Sequence, residues 1–153
     1  MKIEYTKNIH GEDKKFDIKI TEEDKFYKVE CLSGDEEMGF ITFKVLSDHA
    51  WIYKLETKEK FAHQGVASAV VDIAEYIIAV ENSKNQVEAK YMPDNEFALP
   101  FYQKNGYYVP NQTKSWDDYD ETWRMFKMLD KNEIRERVEK NIEICQEDDV
   151  EKN

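Results

Sequence analysis

KFAHQGVASAVVDIAEYIIA, Lys60 to Ala79, turns a charged, glycine-bearing loop into a long apolar helix, and the elements on either side of it decide the fold. Val66, Val70, Ile73, Ile77 and Val80 recur at helical spacing, with Val71, Ala74 and Ile78 widening the stripe. This spacing predicts a helix half buried against a sheet. The N-terminus of such a helix offers unpaired backbone N–H groups and the positive end of its dipole, a natural place for a phosphate-bearing ligand. Before it lies AWIYKLET, Ala50 to Thr57, and after it QVEAKYM, Gln86 to Met92, both strand-like. Strand, helix and strand make one βαβ crossover with parallel strands, and a ligand is expected beyond their carboxyl ends.

Upstream, FDIKI, FYKVECL and MGFITFKVL are rich in β-branched and aromatic residues and are separated by TEED, SGDEE and SDH. They predict an antiparallel meander that runs into Ala50 to Thr57. Downstream, a short helix from Glu96 to Lys104 is expected to stop at Asn105-Gly106, which suits a left-handed cap. YYVP and TWRMFKML read as two more strands, joined by an acidic, aromatic loop. A last helix from about Glu133 carries Ile134, Val138, Ile142 and Cys145 on one stripe, with Asp130 and Glu133 in capping-box spacing. It is expected to dock on its own domain or on a second copy in a homodimer. The fold class is therefore α+β: a central mixed sheet, an antiparallel N-terminal meander, one βαβ crossover and an extra C-terminal helix. One domain spans 1–147, and the acidic tail 148–153 is expected to be disordered.

The 153 residues are enough for a single core without metal or disulfide. Two distant cysteines and three scattered histidines offer neither a zinc site nor a redox pair, and point to a reducing, cytoplasmic setting. Asp72 and Glu75 interrupt the longest apolar run, so no membrane span is expected. A formal charge of −11 repels phosphate backbones, which argues against nucleic acid as a partner, and attracts cations.

Leu55-Glu56-Thr57 ahead of AHQGVA resembles the pyrophosphate loop of the GNAT acetyltransferases, whose pattern is Q/R-x-x-G-x-G/A. Thirty residues on, NEFALPFYQKNGYY matches the family's second signature at Asn95, Ala98, Phe101, Tyr102, Lys104, Gly106 and Tyr107. The resemblance implies an N-acetyltransferase that moves acetyl from acetyl-CoA to a primary amine by direct attack in a ternary complex. The alternative is a non-catalytic GNAT-fold module that binds CoA or regulates a partner.

The resemblance also implies roles for individual residues. Gly65 lets pyrophosphate approach the backbone, and the N–H groups of His63, Gln64, Gly65, Val66, Ala67 and Ser68 bind its oxygens. The pantetheine arm pairs with the backbone of Leu55 to Thr57, and Asn95 donates to it. Tyr102 is the general acid at the leaving sulfur. Strand alternation places His49, Trp51, Tyr53, Leu55 and Thr57 on one face, which makes His49 and Tyr53 candidates for the base. Trp116, Asp117 and Asp118 in the acidic loop are candidates for holding a cationic amine. Three features depart from the pattern: Ala62 replaces the usual Arg or Gln, Pro100 falls in the short helix, and no helices are read between the first strands.

Overall fold

The computed structural model describes residues 1–91, 98–108 and 123–145. Its strands are β1 (Lys2–Ile9), β2 (Glu12–Glu23), β3 (Phe26–Ser33), β4 (Glu36–Val45), β5 (Ala50–Thr57), β6 (Gln86–Tyr91), β7 (Trp123–Met128) and β8 (Ile142–Ile144). Its helices are α1 (Val66–Tyr76), α2 (Ala98–Lys104) and α3 (Lys131–Val138). The strands form one sheet in the order β7-β6-β5-β4-β3-β2-β1-β8. Only β5 and β6 run parallel, as the crossover through α1 requires. The expected α+β architecture is present.

Alternation along the meander gives the sheet one apolar face. Ile3 and Tyr5, Phe16 and Ile18, Val29 and Cys31, and Ile41, Phe43 and Val45 are all buried on the side that α1 covers. Turns replace any helix between the first strands. Asp24 and Lys25, both at positive φ, close β2 onto β3 in the manner of a tight hairpin. No described helix is long and apolar enough to cross a membrane.

Three expectations need correcting. The meander starts earlier than expected, with KIEYTKNI, where Lys7 interrupts an alternation that nonetheless buries Ile3, Tyr5 and Ile9. The long helix changes form after Tyr76: residues Ile77–Glu81 make a π-helical turn, and the N–H of Asn82 reaches back to the Ile77 carbonyl at 3.0 Å. The C-terminal helix stops at Val138, and Ile142–Ile144 pairs with β1 instead of continuing it. An unpaired sheet edge is a stronger attractor for Ile142 than another helical turn, because it satisfies the backbone groups of both partners.

As expected, Asp130 caps α3, its carboxylate accepting from the N–H groups of Asn132 and Glu133. The helix docks on this same chain, against α1, through buried Ile134 and Val138.

The approach of α1 to the sheet depends on a missing side chain. A Cβ on Gly39 of β4 would lie 2.7 Å from the Glu56 carbonyl oxygen and 2.8 Å from Val66 Cγ1. Gly39→Ala is therefore expected to push α1 off β4 and lower stability by about 1–3 kcal/mol. A shift in urea midpoint at constant m value checks this.

Candidate functional site

The site begins with one extra residue in β5. Opposite β4, Ile52 pairs with Phe43 and Lys54 with Thr42, which leaves Tyr53 as a bulge. The bulge reverses the facing of every later residue. Ala50 and Ile52 face α1, and past the bulge so do Leu55, opposite Ile41, and Thr57, opposite Gly39. His49 and Trp51 thus face away from Leu55 and Thr57. The expectation that all five share one face is overturned, because strict alternation cannot register an inserted residue.

The same position marks where β5 and β6 part. They pair from Ala50 with Val87 to Ile52 with Ala89, after which β6 stays with β7 while β5 runs on to Thr57. Between Tyr53 and Thr57 the edge of β5 that faced β6 has no described strand beside it. A strand edge of this kind is suited to pairing with an extended, amide-bearing chain.

At the carboxyl end of β5 a 3₁₀ turn (Glu59–Phe61) leads into α1. His63 at φ 63° and Gly65 at φ 87° reverse the chain, and Gly65 is the N-cap. Among the described residues, nothing accepts a hydrogen bond from the N–H groups of Gln64, Gly65, Val66, Ala67 or Ser68. Their donors and the helix dipole together suit an anion. The glycine also answers to packing within the chain. A Cβ there would lie 2.6 Å from Ile9 Cδ1, so its absence serves the left-handed cap and the packing of β1.

Tyr102 lies on α2, within the core. It is 5% exposed, edge-on to Tyr107 at 5.0 Å and to Phe101 at 5.6 Å. Burial raises the affinity of its hydroxyl for the proton well above the ordinary phenol. Pro100 is the third described residue of α2.

Sequence reasoning missed the buried charges around this tyrosine. Glu75 of α1 is 1% exposed; its carboxylate takes both oxygens to Lys127 Nζ at 3.0 Å and accepts from the Tyr107 hydroxyl at 3.2 Å. Lys127 also donates to the Asn105 carbonyl at 2.7 Å, just past α2. Asp72 accepts from Tyr5 at 2.7 Å and Arg137 at 2.8 Å, and pairs with Lys7. Burial pushes the Glu75 carboxyl up, with Lys127 and then Arg137 among the opposing influences. The available signal was two acids inside an apolar helical stripe, a pattern that requires buried partners.

The two candidate bases are separated. His49 sits between Asp48, 2.6 Å from Nδ1, and Glu88, 3.3 Å from Nε2, at the start of β5. Tyr53 is exposed at the bulge, with its ring tilted against Phe26 at 5.6 Å. Asn95, Trp116, Asp117 and Asp118 lie outside the described residues.

A mixed sheet parts above a helix N-terminus whose N–H groups find no partner among the described residues. The model of the Acetyltransferase (GNAT) family matches residues 3–107, and the chain belongs to that family, which uses acetyl-CoA. A search of curated proteins finds no match.

Among solved structures, the chain is similar to the PaiA N-acetyltransferase of Thermoplasma acidophilum in complex with coenzyme A. The TM-score is 0.57 at 21% identity, over 66% of this chain and 59% of that one, so less than two thirds of that protein is spanned. It is also similar to the ribosomal-protein-S18-alanine N-acetyltransferase of Escherichia coli, at TM-score 0.59 and 12% identity, over 71% of this chain and 72% of that one. Ard1 of Thermoplasma volcanium gives TM-score 0.55 and 24% identity, covering 69% and 70%.

Ser68 occupies the third position of α1, where a glutamate is compatible with the helix dipole. Ser68→Glu is expected to fold normally yet weaken CoA binding by about tenfold or more, through repulsion of the pyrophosphate. Calorimetric titration with CoA alongside thermal unfolding checks both halves.

Proposed function

We propose that the protein is an N-acetyltransferase that transfers acetyl from acetyl-CoA to a primary amine by direct attack in a ternary complex. The observation that carries this reading is the coincidence of the unpaired β5 edge with the free N–H groups of α1. Pyrophosphate would sit on the N–H groups from His63 to Ser68, and the pantetheine amides would continue the sheet along Leu55 to Thr57. A β5 N–H would hold the thioester carbonyl as negative charge develops on its oxygen.

The chemistry then asks two things of side chains. The leaving thiolate needs a donor, and Tyr102 supplies a hydroxyl whose raised proton affinity keeps it protonated throughout the neutral range. The incoming ammonium must lose a proton before attack. On this reading, His49, held between Asp48 and Glu88, and Tyr53, exposed at the bulge, are the candidates for water-mediated proton transfer. The acidic surplus favours a cationic acceptor.

The non-catalytic alternative draws support from the two-residue β2–β3 turn, which puts no helical wall over the far face of the sheet. Thiol release from acetyl-CoA, measured across polyamines, aminoglycosides, lysine and peptide N-termini, separates the readings: acceptor-dependent release is expected, and none at all favours the module.

Tyr102→Phe keeps the ring packing and is expected to lower kcat by about 10²–10⁴ while acetyl-CoA affinity holds. In the active protein, kcat/KM should rise with pH as the acceptor deprotonates, with no descending limb from Tyr102 below about pH 10. A descending limb near neutral pH that disappears in Tyr102→Phe would show that the hydroxyl titrates lower than its burial implies.

A further inference from the structure

We infer that Tyr107, Glu75 and Lys127 form a positioning set that holds Tyr102 at the reacting sulfur. The inference rests on the reading of Tyr102 as the general acid and extends it to residues that touch neither cofactor nor acceptor.

Tyr102 is buried without a polar anchor of its own. Among the described residues its hydroxyl has no hydrogen-bond partner, so the direction of its ring is set by packing alone. Tyr107 is the ring that meets it edge-on, at 71° and 5.0 Å. Such a contact fixes one ring only if the other is fixed, since an edge-to-face pair has a shallow angular preference. Tyr107 is fixed. It is 3% exposed, and its hydroxyl donates to Glu75 Oε2 at 3.2 Å.

Glu75 is held in turn by Lys127 through both oxygens, while the same ammonium lies 5.5 Å from the Tyr107 ring centroid. Its third contact is the Asn105 carbonyl. Asn105 is also tied to α2, its side-chain amide donating to the Phe101 carbonyl at 2.8 Å. One half-buried cation therefore locks three parts of the molecule together: α1 through Glu75, β7 through its own backbone, and the end of α2 through Asn105. Tyr102 is joined to this assembly through its ring contact with Tyr107 and through its carbonyl, which accepts from the N–H groups of Asn105 and Tyr107.

A structural network would stabilise the protein whether or not Tyr102 carried a hydroxyl. A positioning network matters to the rate only while that hydroxyl is there to be aimed, and sub-ångström misplacement of an acid is costly. A double-mutant cycle tells them apart. Tyr107→Phe keeps the ring and removes the bond to Glu75. Lys127→Met removes the cation and serves as the second, independent perturbation.

The expected result is a fall in kcat of about tenfold for Tyr107→Phe, with the acetyl-CoA KM within about twofold, and no further fall when the change is made in Tyr102→Phe. Lys127→Met should show the same non-additivity, with Lys127→Arg recovering part of the rate. Equal falls in both backgrounds would make the network merely structural and overturn the inference while leaving the acid role intact. Unchanged turnover in Tyr102→Phe itself would overturn the acid role and this inference with it. Thermal unfolding of each variant, with CoA titration, identifies any that fail to fold, and Tyr107→Phe, the least disruptive, then decides.

Discussion

One inserted residue governs the working end of this molecule. A β-strand that gains a residue must bend and twist at that point, and Tyr53 is placed where β5 ceases to follow β6. Bending carries β5 away from its parallel neighbour and, among the described residues, leaves main-chain donors and acceptors of β5 without a strand partner. Reversing the facing then turns Leu55 and Thr57 towards α1, whose exposed N–H groups begin eight residues later at Gly65 or nearby. The parting of the strands and the turn of Leu55 and Thr57 towards α1 thus coincide with a single break in register.

The second constraint is the chemistry of α1. Burying two carboxylates on one helix is unfavourable unless each finds cations and donors, and an ion pair gains little over an apolar pair of the same shape. The partners are recruited from β1, β7, α3 and the segment after α2. Arg137 touches both acids, lying 3.7 Å from Glu75 and bonded to Asp72. What these contacts supply is specificity of placement: apolar packing alone would let elements slide, whereas directional charge-assisted bonds allow one arrangement.

The sheet, the crossover and the family were legible in sequence because each rests on local signals. Alternation in MGFITFKVL, the apolar stripe from Val66 and the spacing of Asn95 to Tyr107 survive without knowledge of tertiary contacts. What was not legible rests on distant partners. A bulge is defined by the strand opposite it, so nothing within AWIYKLET marks Tyr53 as extra. The close contact at Gly65 is made by Ile9, more than fifty residues upstream. The fate of Ile142 depends on whether β1 has a free edge, and Tyr107 looks like any core aromatic until Glu75 is seen beneath it.

The pairing of β8 with β1 has a kinetic consequence. Ile3 meets Ile144 and Tyr5 meets Ile142, so a strand near the beginning of the chain is completed by one near its end. Contacts of such sequence separation close the largest loops and form slowly. During synthesis, β1 emerges early and waits with one edge unsatisfied, open to strands of neighbouring nascent chains until β8 arrives. The charged residues of β1, Lys2, Glu4 and Lys7, then have a further use: they keep that waiting edge from sticking to another like it.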